Sequence, residues 1–247
     1  MRGLSRQIAV VAATLFNVTV NALAGAGLLF GVQTGSVSDA IRTAVTPAGT
    51  AFSIWGVIFA GSLLVAGWQA RPAARGPRYD ALGAPLVAAN VLNGAWQFAW
   101  LNRLFGLSVL VIFAILTSLV WLYVRLDRLG MTRAERWALG VPTALFLAWL
   151  TVAAPVNVAA WLWTLGWTDG AVWGPVLLAA VSAIGAALLW RTGDVAFAAV
   201  LGWAFAWIAV AHDSLPLRLV LAGGALAVVA STALAVRRGL SPLPVTR

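Results

Sequence analysis

The side chains best able to do polar chemistry inside this apolar chain are carboxamides at helical spacing. Asn90, Asn93 and Gln97 stand at positions i, i+3 and i+7, so a helix places all three on one face. Asn17 and Asn21 are four residues apart and share a face in the same way. A carboxamide in hydrocarbon must find hydrogen-bond partners, so these faces point toward other helices and away from lipid. The pattern predicts either hydrogen bonds between helices or the polar wall of a ligand cavity.

Tryptophan is the second unusual residue type, with 14 copies in the chain. Half of them are expected at membrane boundaries, where indole rings collect: Trp68, Trp121, Trp137, Trp190, Trp163, Trp167 and Trp173. The others fall within apolar segments: Trp55, Trp96, Trp100, Trp149, Trp161, Trp203 and Trp207. Aromatic rings beside a few carboxamides are typical of a site for a flat apolar ligand, although such rings also serve as ordinary packing.

Other chemistry is scarce. The chain has no cysteine, which excludes disulfides, thiolate catalysis and iron–sulfur ligation. The single histidine, His212, stands beside Asp213 at a segment end and is expected to be an interfacial residue; one histidine does not make a metal site. No nucleophile–base pair is recognisable. We therefore predict no catalytic residues and no metal ligands, and enzymatic activity, if any, would be light-dependent chemistry at tryptophan.

These residues must be positioned by membrane helices. The chain is 62% hydrophobic and 9% charged, whereas soluble domains have about 25% charged residues. Eight charge-free stretches have about the 20 residues that a membrane-spanning helix needs. We therefore predict an all-α polytopic membrane bundle. The segments are Ile8–Val32, Ala51–Ala70, Leu82–Leu101, Leu104–Val124, Trp137–Trp163, Val172–Trp190, Val195–Ala211 and Leu219–Val236.

The arginines predict the orientation of these segments. With both termini in the cytoplasm, thirteen of the 16 arginines are cytoplasmic: Arg2, Arg6, Arg71, Arg75, Arg78, Arg125, Arg128, Arg133, Arg136, Arg191, Arg237, Arg238 and Arg247. Only Arg42, Arg103 and Arg218 fall on the other side, which we call outer. This bias follows the positive-inside rule and favours a multi-pass protein of the inner (plasma) membrane. The arginines form no continuous basic face, so no nucleic-acid partner is expected.

The first segment and the first outer loop each allow two interpretations. Ala22-Leu23-Ala24 resembles a signal-peptide cleavage site, but Asn17, Asn21 and the apolar continuation to Val32 favour a retained helix. The outer loop Gln33–Thr50 is long for a connection between adjacent helices. It is either an ordinary surface loop or a lid over the outer end of the bundle.

The alternating directions of the segments place several of these side chains at similar depth. Beneath the outer loop fall Phe52 and Trp55 on the second segment, Trp96, Gln97 and Trp100 on the third, and Asn157 and Trp161 on the fifth. If these segments adjoin, their side chains form an aromatic chamber with a few carboxamides.

Three motifs resemble the TspO/MBR family, the tryptophan-rich sensory or translocator proteins. Thr46–Gly56 carries a Pro…Phe…Trp pattern at the start of the second segment, and Leu92-Asn93-Gly94-Ala95-Trp96 resembles the family's Leu-Asn-x-x-Trp signature. Ala148–Asn157 resembles its Trp…Ala…Asn pattern, although the family's preceding Pro-Tyr is Leu145-Phe146 here. The chain is similar to the longer bacterial members.

The resemblance implies a five-helix unit that binds porphyrins, sterols or other flat hydrophobic molecules under the first outer loop. Domains are accordingly expected at 1–165, the five-helix unit, and 166–247, three additional helices. Carried over by motif, the ligand-binding residues are Trp55, Asn93, Trp96, Trp149 and Asn157, with Ala153 allowing close approach and Pro47 and Phe52 shaping the entrance. With Gln97 and Trp100 from the chamber, these form the predicted site.

The sequence therefore predicts a membrane sensor or carrier that binds a porphyrin-like ligand, with no obligatory cofactor and a porphyrin or haem-type molecule as the ligand. The partners expected are the lipid bilayer and the hydrophobic ligand. Two alternatives stay open: a facilitated transporter of a hydrophobic molecule or lipid, and a structural subunit. For the latter, Gly27 and Gly31 would form a small-residue packing face. A homodimer is a separate open alternative among the partners.

Overall fold

A computed structural model describes residues 1–41, 43–167 and 170–238, with the backbone alone at 170–172. Arg42 and Arg247, assigned above to the outer and the cytoplasmic side, lie outside these ranges. The described residues form helices and short turns, with no strand among them. The α-helices are α1 Gly3–Gly25, α2 Thr34–Ala40, α3 Ile54–Ala70, α4 Asp80–Leu101, α5 Phe105–Arg128, α6 Arg133–Glu135, α7 Val141–Thr164, α8 Gly170–Thr192, α9 Val195–Ala211 and α10 Leu215–Arg237.

Each of the eight apolar segments coincides with a long helix, which confirms the all-α membrane prediction. Among the described residues, six helical stretches are long and apolar enough to cross a membrane, namely Gly3–Gly25, Gly49–Ala70, Phe105–Arg128, Arg133–Thr164, Trp173–Thr192 and Leu215–Arg237. α9 is apolar but has only 17 residues. α4 has 22 residues, carries the carboxamide face and is not among these six stretches. The chain is an all-α, multi-pass membrane protein.

α1 ends seven residues earlier than predicted, because a glycine stops it. Gly27 has φ +74°, and the backbone N–H groups of Gly27 and Leu28 donate to the carbonyls of Ala24 and Leu23. This is the Schellman arrangement that closes many helices. Gly31 also has positive φ, at +69°. Gly27 and Gly31 therefore lie beyond the helix, and the prediction that they form a helix-packing face is wrong.

The chain divides into two compact units. The first contains Met1–Val37 and Ser53–Leu147, and the second contains Ser38–Phe52 and Ala148–Arg247. The outer loop is thus shared: its beginning belongs to the first unit and its end to the second. The domain boundary predicted near residue 165 stays a prediction.

In the first unit, α1 packs against α3 and α4, and α4 packs against α5. The close approach of α1 to α4 depends on Gly83, where an added Cβ would lie 2.6 Å from Cγ of the fully buried Arg6. Arg6 pairs with Asp80 at 2.7 Å and also donates to the Ala74 carbonyl. The inner end of α1 is therefore fixed by charge as well as by packing.

In the second unit, α10 packs against α8 and α9. Small residues allow these helices to pack closely: a Cβ at Gly224 of α10 would collide with the Ser182 hydroxyl of α8, and a Cβ at Gly185 of α8 would collide with the Leu201 side chain of α9. Asp194 begins α9 by accepting hydrogen bonds from the N–H groups of Ala196 and Phe197. An aspartate at this position satisfies the free N–H groups of a helix start, which explains why the predicted beginning of α9 is accurate.

Candidate functional site

The predicted carboxamides of the first unit form one hydrogen-bonded network between α1 and α4. Asn17 is its centre: its Nδ2 donates to Asn90 Oδ1 at 2.9 Å, and its Oδ1 accepts from Asn93 at 2.8 Å and from Asn21 at 2.8 Å. Gln97 Nε2 then donates to Asn21 Oδ1 at 2.6 Å. All five side chains are buried. Because their amides bind one another, they first of all join the two helices, as the packing interpretation predicts.

The network continues from α4 into the beginning of the outer loop. Thr34 Oγ1 donates to Gln97 Oε1 at 2.8 Å, and Trp100 Nε1 donates to the Thr34 carbonyl at 3.1 Å. Gln97 and Trp100 therefore anchor the start of α2. Within the first unit, these two predicted site residues hold the loop at the outer end of α4.

The predicted site tryptophans of the first unit lie in two aromatic groups. Trp96 stacks on Trp100 with ring centroids 5.0 Å apart, and Trp100 meets Phe105 edge-on at 5.2 Å. Trp55 stacks on Phe59 at 5.2 Å and meets Phe146 edge-on at 5.8 Å. Phe146 belongs to the Leu145-Phe146 pair that departs from the family pattern, and here it supports Trp55.

A small cavity lies in the inner half of the first unit, between α3, α4, α5 and the start of α7. Its volume is about 20 Å³, and Ser62, Asn90, Thr143 and Phe146 are among its walls. This space fits about one water molecule. Sites for drug-sized ligands measure about 300–1,000 Å³. The cavity therefore does not take a porphyrin in this conformation.

The second unit brings together the entrance residues and the fifth-segment motif. Phe52 meets Trp149 edge-on, with ring centroids 6.1 Å apart and planes at 76°. Trp149 is buried and Phe52 is partly exposed. Ala153 and Asn157 follow Trp149 at one-turn intervals on α7, and Ala153 is partly exposed. A small residue beside a partly open aromatic pair is what close approach of a flat ring requires.

The loop segment that precedes Phe52 is tied to α9. Trp203 Nε1 donates to the Ala51 carbonyl at 3.1 Å, and the Ala48 N–H donates to the Trp207 carbonyl at 3.1 Å. His212 Nε2 lies 2.9 Å from the Thr46 carbonyl oxygen. Pro47, the predicted entrance residue, is buried between these contacts.

Sequence reasoning missed Trp203, Trp207 and His212 as parts of this site. The available signal was the spacing of Trp203 and Trp207, four residues apart at the outer end of α9, followed by a histidine. Their rings meet edge-on at 5.5 Å. Their partners are main-chain groups far away in sequence, so no pattern in either segment identifies the pairing.

The inner end of the first unit holds a separate network of charges. Glu135 accepts from Arg78 Nε at 3.0 Å and Nη2 at 2.9 Å, and from the Tyr79 hydroxyl at 2.6 Å. Thr132 and Glu135 also form a capping box that begins α6. Hydrogen bonding to Glu135 raises the pKa of Arg78, so this pair stays charged at physiological pH. The network joins two inner loops, and we assign it to stability.

The predicted site residues thus belong to both units. Trp55, Asn93, Trp96, Gln97 and Trp100 are in the first unit, and Pro47, Phe52, Trp149, Ala153 and Asn157 are in the second. In the described part of the chain, no three His, Asp or Glu side chains stand close enough to hold a metal ion. Within the second unit, the Phe52–Trp149 pair offers a partly exposed aromatic surface that suits contact with an apolar ring.

Comparison with known proteins identifies the family. The family model for the TSPO-like protein matches residues 7–236, so the match continues through α8, α9 and α10, beyond Asn157, where the last of the three motifs ends. No curated protein and no solved structure matches the chain. Because the family model covers nearly the whole sequence, including the three motif regions, this membrane protein belongs to the TSPO-like protein family.

Proposed function

We propose that this chain is a receptor or carrier of the inner (plasma) membrane for a porphyrin-like or other flat apolar molecule. The observation that supports this function best is the Phe52–Trp149 pair, a partly open aromatic corner directly after the tethered loop segment. The small Ala153 side chain, one turn from Trp149, leaves space along the same helix.

The residues of this corner fit a flat ring held by its face. Trp149 and Phe52 supply apolar aromatic surface, and edge-to-face contacts with a ligand add to the area that it buries. His212 is the one histidine of the chain, and its Nε2 is engaged with the Thr46 carbonyl. A metal-free porphyrin is therefore the appropriate first probe, because its binding does not depend on an iron ligand.

The test is a titration of the purified protein, in lipid nanodiscs, with protoporphyrin lacking iron. Saturable binding is read from the porphyrin's own absorption band, so that removal of a tryptophan does not change the readout. We expect Trp149→Ala to weaken binding by about tenfold or more, since truncation of a buried aromatic contact typically costs over 1 kcal/mol.

The matched control is Trp163→Ala, on the same helix. Trp163 is exposed near the end of α7, and its loss should leave the affinity within about twofold of wild type. Absence of saturable binding by the wild-type protein would contradict the proposed function. Equal affinities for wild type and Trp149→Ala would be consistent with the proposed function but would show that the ligand binds at a different site.

A carrier and a transporter differ in what happens after binding. Proteoliposomes loaded with the same porphyrin give the second readout, because only transport releases the ligand across the bilayer. Flux that exceeds leakage in protein-free vesicles would extend the function to facilitated transport. Binding without flux supports the receptor or sensor function.

A further inference from the structure

The three bonds between the outer loop and α9 run in antiparallel register. The contacts come from Trp203 and Trp207 of α9 and from His212 directly after it, and along the loop they fall on Ala51, Ala48 and Thr46. From the first contact to the third, the residue numbers from α9 to His212 rise while the residue numbers in the loop fall. All three bonds involve a main-chain group of the loop, so they hold the path of the loop rather than any one of its side chains.

The loop segment held in this way is itself well ordered by local bonds. Thr46 Oγ1 accepts from the Thr43 N–H at 3.1 Å and lies 3.2 Å from the Ile41 carbonyl. The Ala51 N–H donates to the Ala48 carbonyl at 2.8 Å and begins the turn Gly49–Ser53. The segment is therefore held by hydrogen bonds within itself as well as by its bonds to α9.

This segment leads directly into the proposed site. Ala51, which accepts from Trp203, precedes Phe52, and Phe52 contacts Trp149. α9 is consequently connected to the aromatic corner through a single peptide unit. The Trp203 bond is therefore made one residue away from the ring that contacts Trp149.

We propose that α9 acts as a clasp on the entrance of the ligand site, with Trp203 and His212 as its positioning residues. The inference rests on the proposed function and gives a role to a helix outside the five-helix unit. Loss of either side-chain bond frees the loop segment and lets Phe52 leave Trp149. Ligand exchange then becomes faster in both directions, while affinity changes less than either rate, because the contact residues themselves are intact.

The first test measures the loop without any ligand. The natural chain has no cysteine, so Gly49→Cys supplies a unique attachment point for a nitroxide spin label. Gly49 is exposed, and a Cβ there meets only Asp39 oxygens at 3.8–3.9 Å, an ordinary contact. Electron paramagnetic resonance of the labelled protein reports the mobility of the loop. A second label at Gly223→Cys on α10, where a Cβ meets nothing within 4 Å, reports the mobility of a site away from the loop.

The chain offers a matched pair of substitutions on the same helix. Trp203→Phe removes the indole N–H that binds Ala51, whereas Trp207→Phe keeps the bond to Ala48 because that bond uses the Trp207 main chain. We expect narrower, more mobile spectra at position 49 in Trp203→Phe and unchanged spectra in Trp207→Phe. The label at position 223 should respond to neither.

His212 supplies an independent test should Trp203→Phe fold poorly. His212→Phe removes the ring nitrogen near Thr46, and His212→Gln restores a side-chain N–H donor. Increased loop mobility in His212→Phe, reversed in His212→Gln, supports the clasp. Equal mobility at position 49 in wild type, Trp203→Phe and His212→Phe overturns it.

The second test follows exchange of metal-free protoporphyrin by stopped flow. Loss of one hydrogen bond is expected to raise both association and dissociation rates by about two- to tenfold. Wild-type protein that fails to bind the porphyrin would contradict the proposed function, and the spectra at position 49 would still decide whether the clasp exists. Normal binding with exchange rates unchanged in Trp203→Phe and His212→Phe would contradict the gating role alone.

Discussion

Asn17 of α1 and Asn90 of α4 are joined by a hydrogen bond of 2.9 Å between their buried side-chain amides. Asn17 also accepts from Asn93 and Asn21, so a single residue serves three partners. Replacing it leaves three buried amides short of a partner, and an unsatisfied buried amide is expensive in a membrane interior.

Asn17→Ala should therefore lower the free energy of unfolding by about 1–3 kcal/mol. Thermal unfolding in mild detergent measures this as a lower midpoint temperature. Asn102→Ala, directly after the last residue of α4, is the control, because Asn102 is exposed and makes only a local side-chain bond to the Phe98 carbonyl. Equal stability losses in the two variants would contradict the special role of the Asn17 network.

Sequence periodicity predicted the helices well, because hydrophobic length and charge are local properties. The same is true of the carboxamide faces, whose members stand at fixed helical intervals and meet as expected from i, i+3 and i+7 spacing. The end of α1 was predicted too late because apolar character continues past Gly27, where backbone conformation, not hydrophobicity, decides the boundary.

The tethering of the outer loop could not be predicted from either of its partners. Trp203 binds the Ala51 carbonyl 152 residues away, and every residue type has that carbonyl. A main-chain acceptor leaves no trace in the sequence. By contrast, Phe52 and Trp149 were identified through motifs, and the geometry places their rings in contact.

Gly83 allows α1 and α4 to pack closely, because it has no Cβ. Alanine there would place a Cβ 2.6 Å from Cγ of Arg6, and Arg6 is unable to move aside because it is fully buried and paired with Asp80. We expect Gly83→Ala to lose about 1–3 kcal/mol of stability through overpacking.

Gly67→Ala tests the same substitution where space is available. Gly67 is an exposed position in α3 with nothing within 4 Å of an added Cβ, so alanine should stabilise its helix by up to about 1 kcal/mol. Opposite shifts of the unfolding midpoint in the two variants are the expected result. A Gly83→Ala protein with the wild-type unfolding midpoint would show that α1 and α4 can move apart without loss of stability.

The charge network at the inner loops should matter more than the exposed ion pair at the outer end. Glu135 is buried and accepts four hydrogen bonds, from Arg78, Tyr79 and Thr132. Glu135→Gln turns one acceptor into a donor that faces other donors, and we expect a loss of about 1–2 kcal/mol. Because Arg78 is partly exposed, solvent screening keeps the loss moderate.

Asp213→Asn is the control for Glu135→Gln. The Asp213–Arg218 pair has a short N···O distance of 2.7 Å, against 2.9 Å for Glu135–Arg78, but both of its side chains are exposed. Exposed pairs typically contribute under 1 kcal/mol, so the unfolding midpoint should hardly change. Thermal unfolding at low salt and at 0.5 M salt compares the two ion pairs. Added salt should reduce the stabilising contribution of the exposed Asp213–Arg218 pair and leave that of the Glu135 network unchanged. If the Glu135→Gln protein is as stable as wild type, the Glu135 network does not stabilise the fold.

Phe52 allows the aromatic corner to be tested without truncating a buried residue. Its ring is partly exposed and meets Trp149 edge-on at 6.1 Å. Phe52→Leu retains apolar volume but loses the aromatic face, and aromatic contacts contribute about 0.5–1.5 kcal/mol beyond buried area. Affinity for metal-free protoporphyrin should therefore fall by about two- to tenfold, measured by the same absorption titration. Phe113→Leu, on the exposed face of α5, is the control and should bind as wild type does. If both variants bind equally well, the ligand does not contact Phe52, and the corner is packing alone.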